Sequence, residues 1–167
     1  MPFIIDTNVP IVANNRISAQ ATMPCVLACI QQLRDIMTKQ IVAIDDQWRI
    51  LREYGHKINA SGQPGAGDAF YKWLLSNQAN PRHCQRVHIT PLETSSDGND
   101  FAEFPNDPEL ANFDRSDRKF VAVALAHPDK PPIVNATDSD WQHHQAILAT
   151  HGVKIVFLCP IPTRSQP

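Results

Sequence analysis

The apolar residues of this chain fall into short continuous runs separated by stretches with helical spacing. Pro2 to Asp6 (PFIID) is apolar until it closes on an acid, as expected of a short strand buried on both faces. Thr22 followed by Pro24 signals a helix start, and Val26, Leu27, Ile30, Leu33 and Met37 recur at helical spacing up to about Gln40. Ile41 to Ile44 is a second apolar run closed by Asp45 and Asp46, and Trp48, Leu51, Tyr54 and Ile58 give the next helix its buried stripe. Gly62, Pro64, Gly65 and Gly67 then interrupt the pattern before Phe70, Trp73 and Leu74 mark a further helix.

The second half repeats the alternation. A third strand is expected at Val87 to Leu92, followed from Glu93 to Phe113 by a stretch rich in Asp, Asn, Ser and Pro that reads as loop. Asp117 to His127 is a small-residue helix with Phe120, Val121, Ala124 and Leu125 facing inward, and Ile133 to Ala136 is a fourth strand. A helix from about Ser139 to His151 and a strand from Lys154 to Leu158 complete the series. Strands alternating with helices imply right-handed crossovers and a sheet covered on both faces. The predicted fold is therefore α/β, a three-layer α/β/α sandwich with a mostly parallel sheet of about five strands. One domain is expected over residues 1–160, with residues 161–167 as a frayed tail.

Composition narrows the options. A chain of 167 residues suits one domain, and 43% hydrophobic with 19% charged residues is the balance of a globular protein. A net charge of −2 argues against holding nucleic acid by bulk electrostatic attraction, because neutralising phosphates takes a surplus of Lys and Arg. Handling it transiently through a bound cation stays open. Cys25, Cys29, Cys84 and Cys159 contain no C-x-x-C pair, so neither a zinc knuckle nor a disulfide framework is indicated, and a reducing cytoplasm is the expected location. No apolar run approaches the ~20 residues of a membrane span, and the first residues do not read as an export signal. The glycine run at residues 62–67 lacks the Gly-Lys-Ser/Thr ending of a phosphate-binding loop and reads as a flexible connection.

Ligands of a parallel sheet collect at the carboxyl ends of its strands. Asp6 ends the first strand there, Asp138 and Asp140 follow the fourth, and Asp117 opens the helix that leads into the fourth. Each has an ordinary structural reading: an Asx turn for Asp6, helix capping for Asp138 and Asp140, a favourable helix-start charge for Asp117 and Asp114, a solvated helix position for Glu53. Together they point further, because crowded carboxylates repel unless a cation joins them, and oxygen ligands suit Mg²⁺ or Mn²⁺. Arg49, Arg52, Arg115, Arg118 and Lys119 flank the acids and read mostly as ordinary surface charge. Trp48, Trp73 and Trp141 read as core or margin aromatics, Cys25 and Cys29 as buried thiols, and His143 with His144 as an exposed helix pair.

Four segments in order, IIDTN at residues 4–8, ILREY at 50–54, FDRSDRKFVAVALAH at 113–127 and IVNATDSDW at 133–141, resemble the PIN-domain nucleases. The resemblance spans nearly the whole chain. It implies Asp6, Glu53, Asp117 and Asp138 as the acids of the site, Asp140 as an additional one, and Asn8, Thr137 and Asp114 as secondary candidates. It also implies a metal-dependent nuclease using Mg²⁺ or Mn²⁺, with single-stranded RNA the expected substrate and DNA an alternative. A role as toxin with an antitoxin partner, and a homodimer, belong to the same expectation. The stretch between Pro81 and Asn112 is longer and more polar than a compact member of this type needs. A phosphatase of the haloacid-dehalogenase kind also places an Asp after strand one, but it needs a second Asp two positions later, where this chain has Asn8. A non-catalytic domain binding RNA or a protein is the remaining alternative.

Overall fold

The computed structural model describes residues 1–15 and 21–159; the tail expected at 161–167 lies outside them. Five strands, β1 (Pro2–Ile5), β2 (Ile41–Asp45), β3 (Cys84–Val87), β4 (Ile133–Asn135) and β5 (Ile155–Phe157), form one parallel sheet in the order β3-β2-β1-β4-β5. Among the described residues six α-helices connect them: α1 (Asn8–Ala13), α2 (Met23–Lys39), α3 (Arg49–Lys57), α4 (Ala66–Asn77), α5 (Arg118–Ala126) and α6 (Ser139–Thr150). This is the expected three-layer α/β/α sandwich.

The winding explains the layers. The chain moves outward from β1 to β2 to β3, then returns to the other side of β1 for β4 and β5. Right-handed crossovers in opposite directions place their helices on opposite faces. In keeping with this, α1, α2 and α4 pack together, while α5 lies against β1, β2 and β4. The central strands are solvent-free on both sides, with Ile4, Ile5, Val42, Ala43, Ile44, Ile133 and Val134 all buried. That double burial is why these strands were legible as unbroken apolar runs.

Two local expectations differ, the third strand and the glycine run. The third strand lies at Cys84–Val87, not Val87 to Leu92. It is an edge strand, so beyond the buried Cys84 its residues are only partly covered and mix Gln85 and Arg86 with Val87, whereas the apolar Ile89 is buried past the strand's end. The Asx turn read at Asp6 is present, its Oδ2 accepting from Asn8 N at 3.1 Å, and it leads directly into the short helix α1. The glycine run is not simply flexible: Gly65 caps α4, and Gly67 lies in its first turn pressed against α1. Asn14, just past α1, donates from Nδ2 to Asp68 Oδ1 at 3.0 Å, and Asp68 N donates back to Asn14 Oδ1 at 3.0 Å.

The cysteines are a clear correction. Cys25 and Cys159 form a disulfide although 134 residues separate them, joining the first turn of α2 to the segment leaving β5. Cys29, one turn along α2, is a buried free thiol whose sulfur completes a group of three within 4.8 Å. A pairing made only by the tertiary fold leaves no local spacing for a sequence reading to find. No described helix is long and apolar enough to cross a membrane.

A Cβ on Gly67 would stand 1.9 Å from the Pro10 carbonyl oxygen, a backbone atom that cannot swing aside. Gly67→Ala is therefore expected to destabilise the fold by about 1–3 kcal/mol despite alanine's better helix propensity. Urea unfolding measures this as a lower midpoint with an unchanged slope.

Candidate active site

The sheet reverses its winding between β1 and β4, and the crevice at the carboxyl ends of these neighbours is where a doubly wound sheet binds ligands. Two asparagines hold it. Asn8, following β1, donates from Nδ2 to Asn135 Oδ1 at 3.3 Å and accepts from Ala136 N at 3.0 Å. Asn135, the last residue of β4, accepts from Asp138 N at 3.0 Å through the same Oδ1. The side chain of Asn8 is thus spent on tying the two strand ends together, which makes it a positioning residue.

Asp6 stands on the floor of the crevice, only 3% exposed. Its Oδ2 accepts from Asn8 N at 3.1 Å, while its buried Oδ1 has no hydrogen-bond partner. Beside it, Tyr54 of α3 donates its hydroxyl to the Ile5 carbonyl, which fixes α3 against the end of β1. Glu53 is the adjacent residue and is held from two sides: Thr7 donates its hydroxyl to Oε2, and Lys119 Nζ donates to Oε1 at 2.7 Å. The start of α3 is itself set by Asp45 at the end of β2, whose buried carboxylate accepts from Gln47 N, Arg49 N and Ile50 N. That acid is structural.

Asp117 and Asp138 close the ring. Asp117 ends a 3-10 turn, Arg115–Asp117, that runs directly into α5, and it is largely buried. Asp138 caps α6, accepting from Asp140 N at 2.9 Å, so its structural reading holds as well. Asp140 and Asp114 form an outer pair: Asp140 Oδ2 accepts from Asp114 N at 3.0 Å, and its Oδ1 lies 3.2 Å from Nδ1 of His144. Asp114 in turn accepts from the backbone and hydroxyl of Ser116. Thr137 is half-buried. His144 is buried rather than exposed, packed edge-on against Phe113, which also meets the fully buried Trp141.

Two members were not anticipated. Lys119, read as surface charge, is 6% exposed and sits among the acids, with Ser116 O as a second acceptor. Thr7 lay inside the DTN segment without a role. Nothing in the apolar periodicity distinguishes a buried lysine at the start of a helix from one that reaches out to water. The only available signal was the acid two positions before it.

The electrostatics follow from burial and crowding. Burial pushes the Asp6 carboxyl up to about 7, and the charges of Asp138 and Glu53 add to this against the opposing Asn8 N–H and Lys119. Burial likewise lifts Asp117 to about 9, aided by repulsion from Asp6, Asp114, Asp138 and Glu53. Asp138 is raised by burial and by its acidic neighbours. One lysine does not balance this many acids.

A hard divalent cation fits such a donor set. The unpartnered Oδ1 of Asp6 and the raised carboxyls of Asp117 and Asp138 are oxygen donors in want of positive charge. Asp6, Glu53, Asp117 and Asp138 would hold it. Among the described residues, the one group of three candidate ligand atoms within 4.8 Å is the cysteine group, so the acids ring the crevice more loosely than a closed cage. That openness is compatible with Mg²⁺, which keeps several waters and commonly takes only one or two carboxylates. A cleft of about 630 Å³, lined by residues between Leu92 and Ala111 and by Arg118, includes none of these four acids.

The raised carboxyls predict how the metal-free protein responds to pH. Folded Asp6 and Asp117 hold protons that the unfolded chain releases near the ordinary value of 3.8. Their contribution to stability is therefore fully present below about pH 4 and is lost as pH rises through 7 and 9. Asp97 and Asp100, lowered first by their hydrogen bonds to Arg115, lose stabilisation only at acid pH, and the buried thiols Cys29 and Cys84, raised by burial, weigh in only as pH approaches 9, so a scan from pH 5.5 to 8 isolates the site. Thermal unfolding with chelator should show a falling midpoint over that range, flattened in Asp117→Asn and recovered in the wild type by Mn²⁺. A midpoint that rises with pH would refute the buried-acid account.

Comparison with known family models, curated proteins and solved structures finds no match to this chain, so the functional reading rests on its own residues and geometry.

Proposed function

We propose that this chain is a metal-dependent nuclease that hydrolyses phosphodiester bonds, with single-stranded RNA as its substrate. The observation that carries the reading is the buried, unpartnered Oδ1 of Asp6 at the winding reversal, facing a crevice whose other acids, Glu53, Asp117 and Asp138, come from three different elements. A fold that needed only caps and turns would have no reason to collect these acids in one place at a cost in repulsion.

A bound Mg²⁺ or Mn²⁺ would supply Lewis acidity toward a phosphoryl oxygen and lower the pKa of a water. The protein's own part is positional. Asp6 is rigid because β1 is central and its Oδ2 is fixed by Asn8 N. Glu53 is oriented by Thr7 and Lys119, and Asp138 is fixed by its own capping bond to Asp140 N. Lys119 offsets part of the charge that would otherwise repel a phosphodiester. The acids act as ligands, and the attacking oxygen belongs to water.

The phosphatase alternative asks the residue two after Asp6 to move a proton. An asparagine already engaged with Asn135 and Ala136 is not suited to that task. An antitoxin partner and a homodimer extend the same proposal to its biology. A cytoplasmic location is part of it too, but cysteine usage no longer supports that location, because disulfides persist mainly in oxidising compartments.

Incubation with end-labelled single-stranded RNA and Mn²⁺ or Mg²⁺ is expected to yield 5′-phosphate and 3′-hydroxyl products. Chelator should abolish cleavage, and Asp6→Asn should slow it by about a hundredfold or more. Cleavage that persisted under either condition would remove the metal–carboxylate site from consideration.

A further inference from the structure

Trp48 is the only aromatic side chain among the exposed large hydrophobic residues described, 45% accessible at the carboxyl edge of the sheet. Its backbone lies in the left-handed region, φ 65° and ψ 17°. A bulky residue adopts that conformation only when its surroundings impose it, and glycine or asparagine would occupy it at lower cost. Here the Asp45 carboxylate imposes it, gripping N–H groups on both sides of Trp48: Gln47 N at 3.1 Å, Arg49 N at 3.0 Å and Ile50 N at 2.9 Å. The fold requires this tight turn but not a tryptophan within it. A strained backbone carrying an exposed indole at the start of the helix that bears Glu53 calls for a role outside the core.

The surroundings indicate which role. The next residue, Arg49, and Arg52 one turn along α3 line a groove of about 210 Å³ with Lys119, Gly98 and Asn99. Lys119 continues that groove into the acids, because its Nζ is bonded to Glu53. The acidic residue on the rim, Asp97, is already neutralised by a two-pronged contact from Arg115 at 2.6 and 2.8 Å. Arg52 is exposed and takes part in none of the ion pairs found among the described residues, and Arg49 lies 5.4 Å over the Phe101 ring. Unspent guanidinium charge next to an exposed aromatic face matches the two parts of a single-stranded nucleic acid, phosphates and splayed bases.

We propose that Trp48 is a stacking platform for a base of single-stranded RNA whose backbone runs through the Arg49, Arg52 and Lys119 groove toward the carboxylates. The proposal rests on the nuclease reading and adds to it the residue that holds the strand. Stacking requires no base-specific hydrogen bond, so the platform favours strongly stacking bases, adenine over uracil, without reading a sequence.

Binding with chelator present separates the platform from the chemistry. The full chain, titrated with labelled oligoadenylate and oligouridylate, should prefer oligoadenylate. Trp48→Ala should weaken oligoadenylate binding by about tenfold or more and erase the preference, while Trp48→Tyr keeps most of both. Trp48→Asn should also bind weakly yet unfold at a higher temperature than the wild type, because it relieves the backbone, so poor folding cannot account for its loss. The proposal is overturned if wild type does not bind oligoadenylate, if Trp48→Ala binds it as wild type does, or if the tyrosine variant loses as much as alanine. Cleavage by the wild type with unchanged binding by Trp48→Ala would sink the platform and leave the nuclease reading intact. Binding through Trp48 without any metal-dependent cleavage would do the reverse.

Discussion

Like charges buried at one point are the constraint around which this molecule is arranged. Asp6, Glu53, Asp117 and Asp138 come from the end of β1, the middle of α3, the start of α5 and the cap of α6, and each is brought in by an element that has its own reason to be there. The sheet order places β1 beside β4, so the loops leaving these strands diverge to opposite faces and leave a crevice between them. The Asn8–Asn135 contact keeps the crevice at a fixed width. Tyr54, donating to the Ile5 carbonyl, and Thr7, donating to Glu53, set the depth at which α3 docks. The donors in these bonds carry no net charge, so they hold the site's parts in place without adding a cation to it as further lysines would.

Most of the fold was legible because its central strands are buried on both faces. Ile4, Ile5, Ile44, Ile133 and Val134 form unbroken apolar runs for that reason, and the helices between them show most of their stripes, although Leu27 and Trp48, read as stripe positions, are exposed. Legibility fell off at the edge, where β3 mixes polar and apolar residues, and in the glycine run, where Gly67 is defined by its distance from Pro10 on another helix. The disulfide was invisible for the same physical reason: Cys25 and Cys159 are neighbours only after the whole sheet has formed.

The acids were legible through position, since an Asp at the carboxyl end of a predicted strand carries information that an Asp on a helix does not. What sequence could not convey was which polar groups are used up. Asn8, Asp45, Asp114 and Asp140 all stand near the crevice, yet each spends its side chain on named N–H groups or neighbours. Asp6 differs by retaining an unpartnered oxygen. The distinction between a structural acid and a chemical one is thus a matter of hydrogen-bond accounting in three dimensions.

The polar stretch that set this chain apart in sequence acquires a place in the same scheme. Residues 88–113 fold back over the entrance to α5, joined by an isolated bridge between Pro91 and Phe101 and fastened by Arg115 to Asp97 and Asp100 and by Arg118 to Asp100. Arg115 and Arg118 bracket Asp117, so the ion pairs that anchor this segment also fix one of the four inner acids. The same segment contributes Gly98 and Asn99 to the wall of the Arg49 and Arg52 groove. Exposed ion pairs contribute little to stability singly, but a bidentate arginine contact specifies orientation well. Their consequence here is geometric: the wall of the groove and the position of Asp117 are set by one set of contacts, so a change in the segment would alter both the shape of the groove and the setting of that carboxylate.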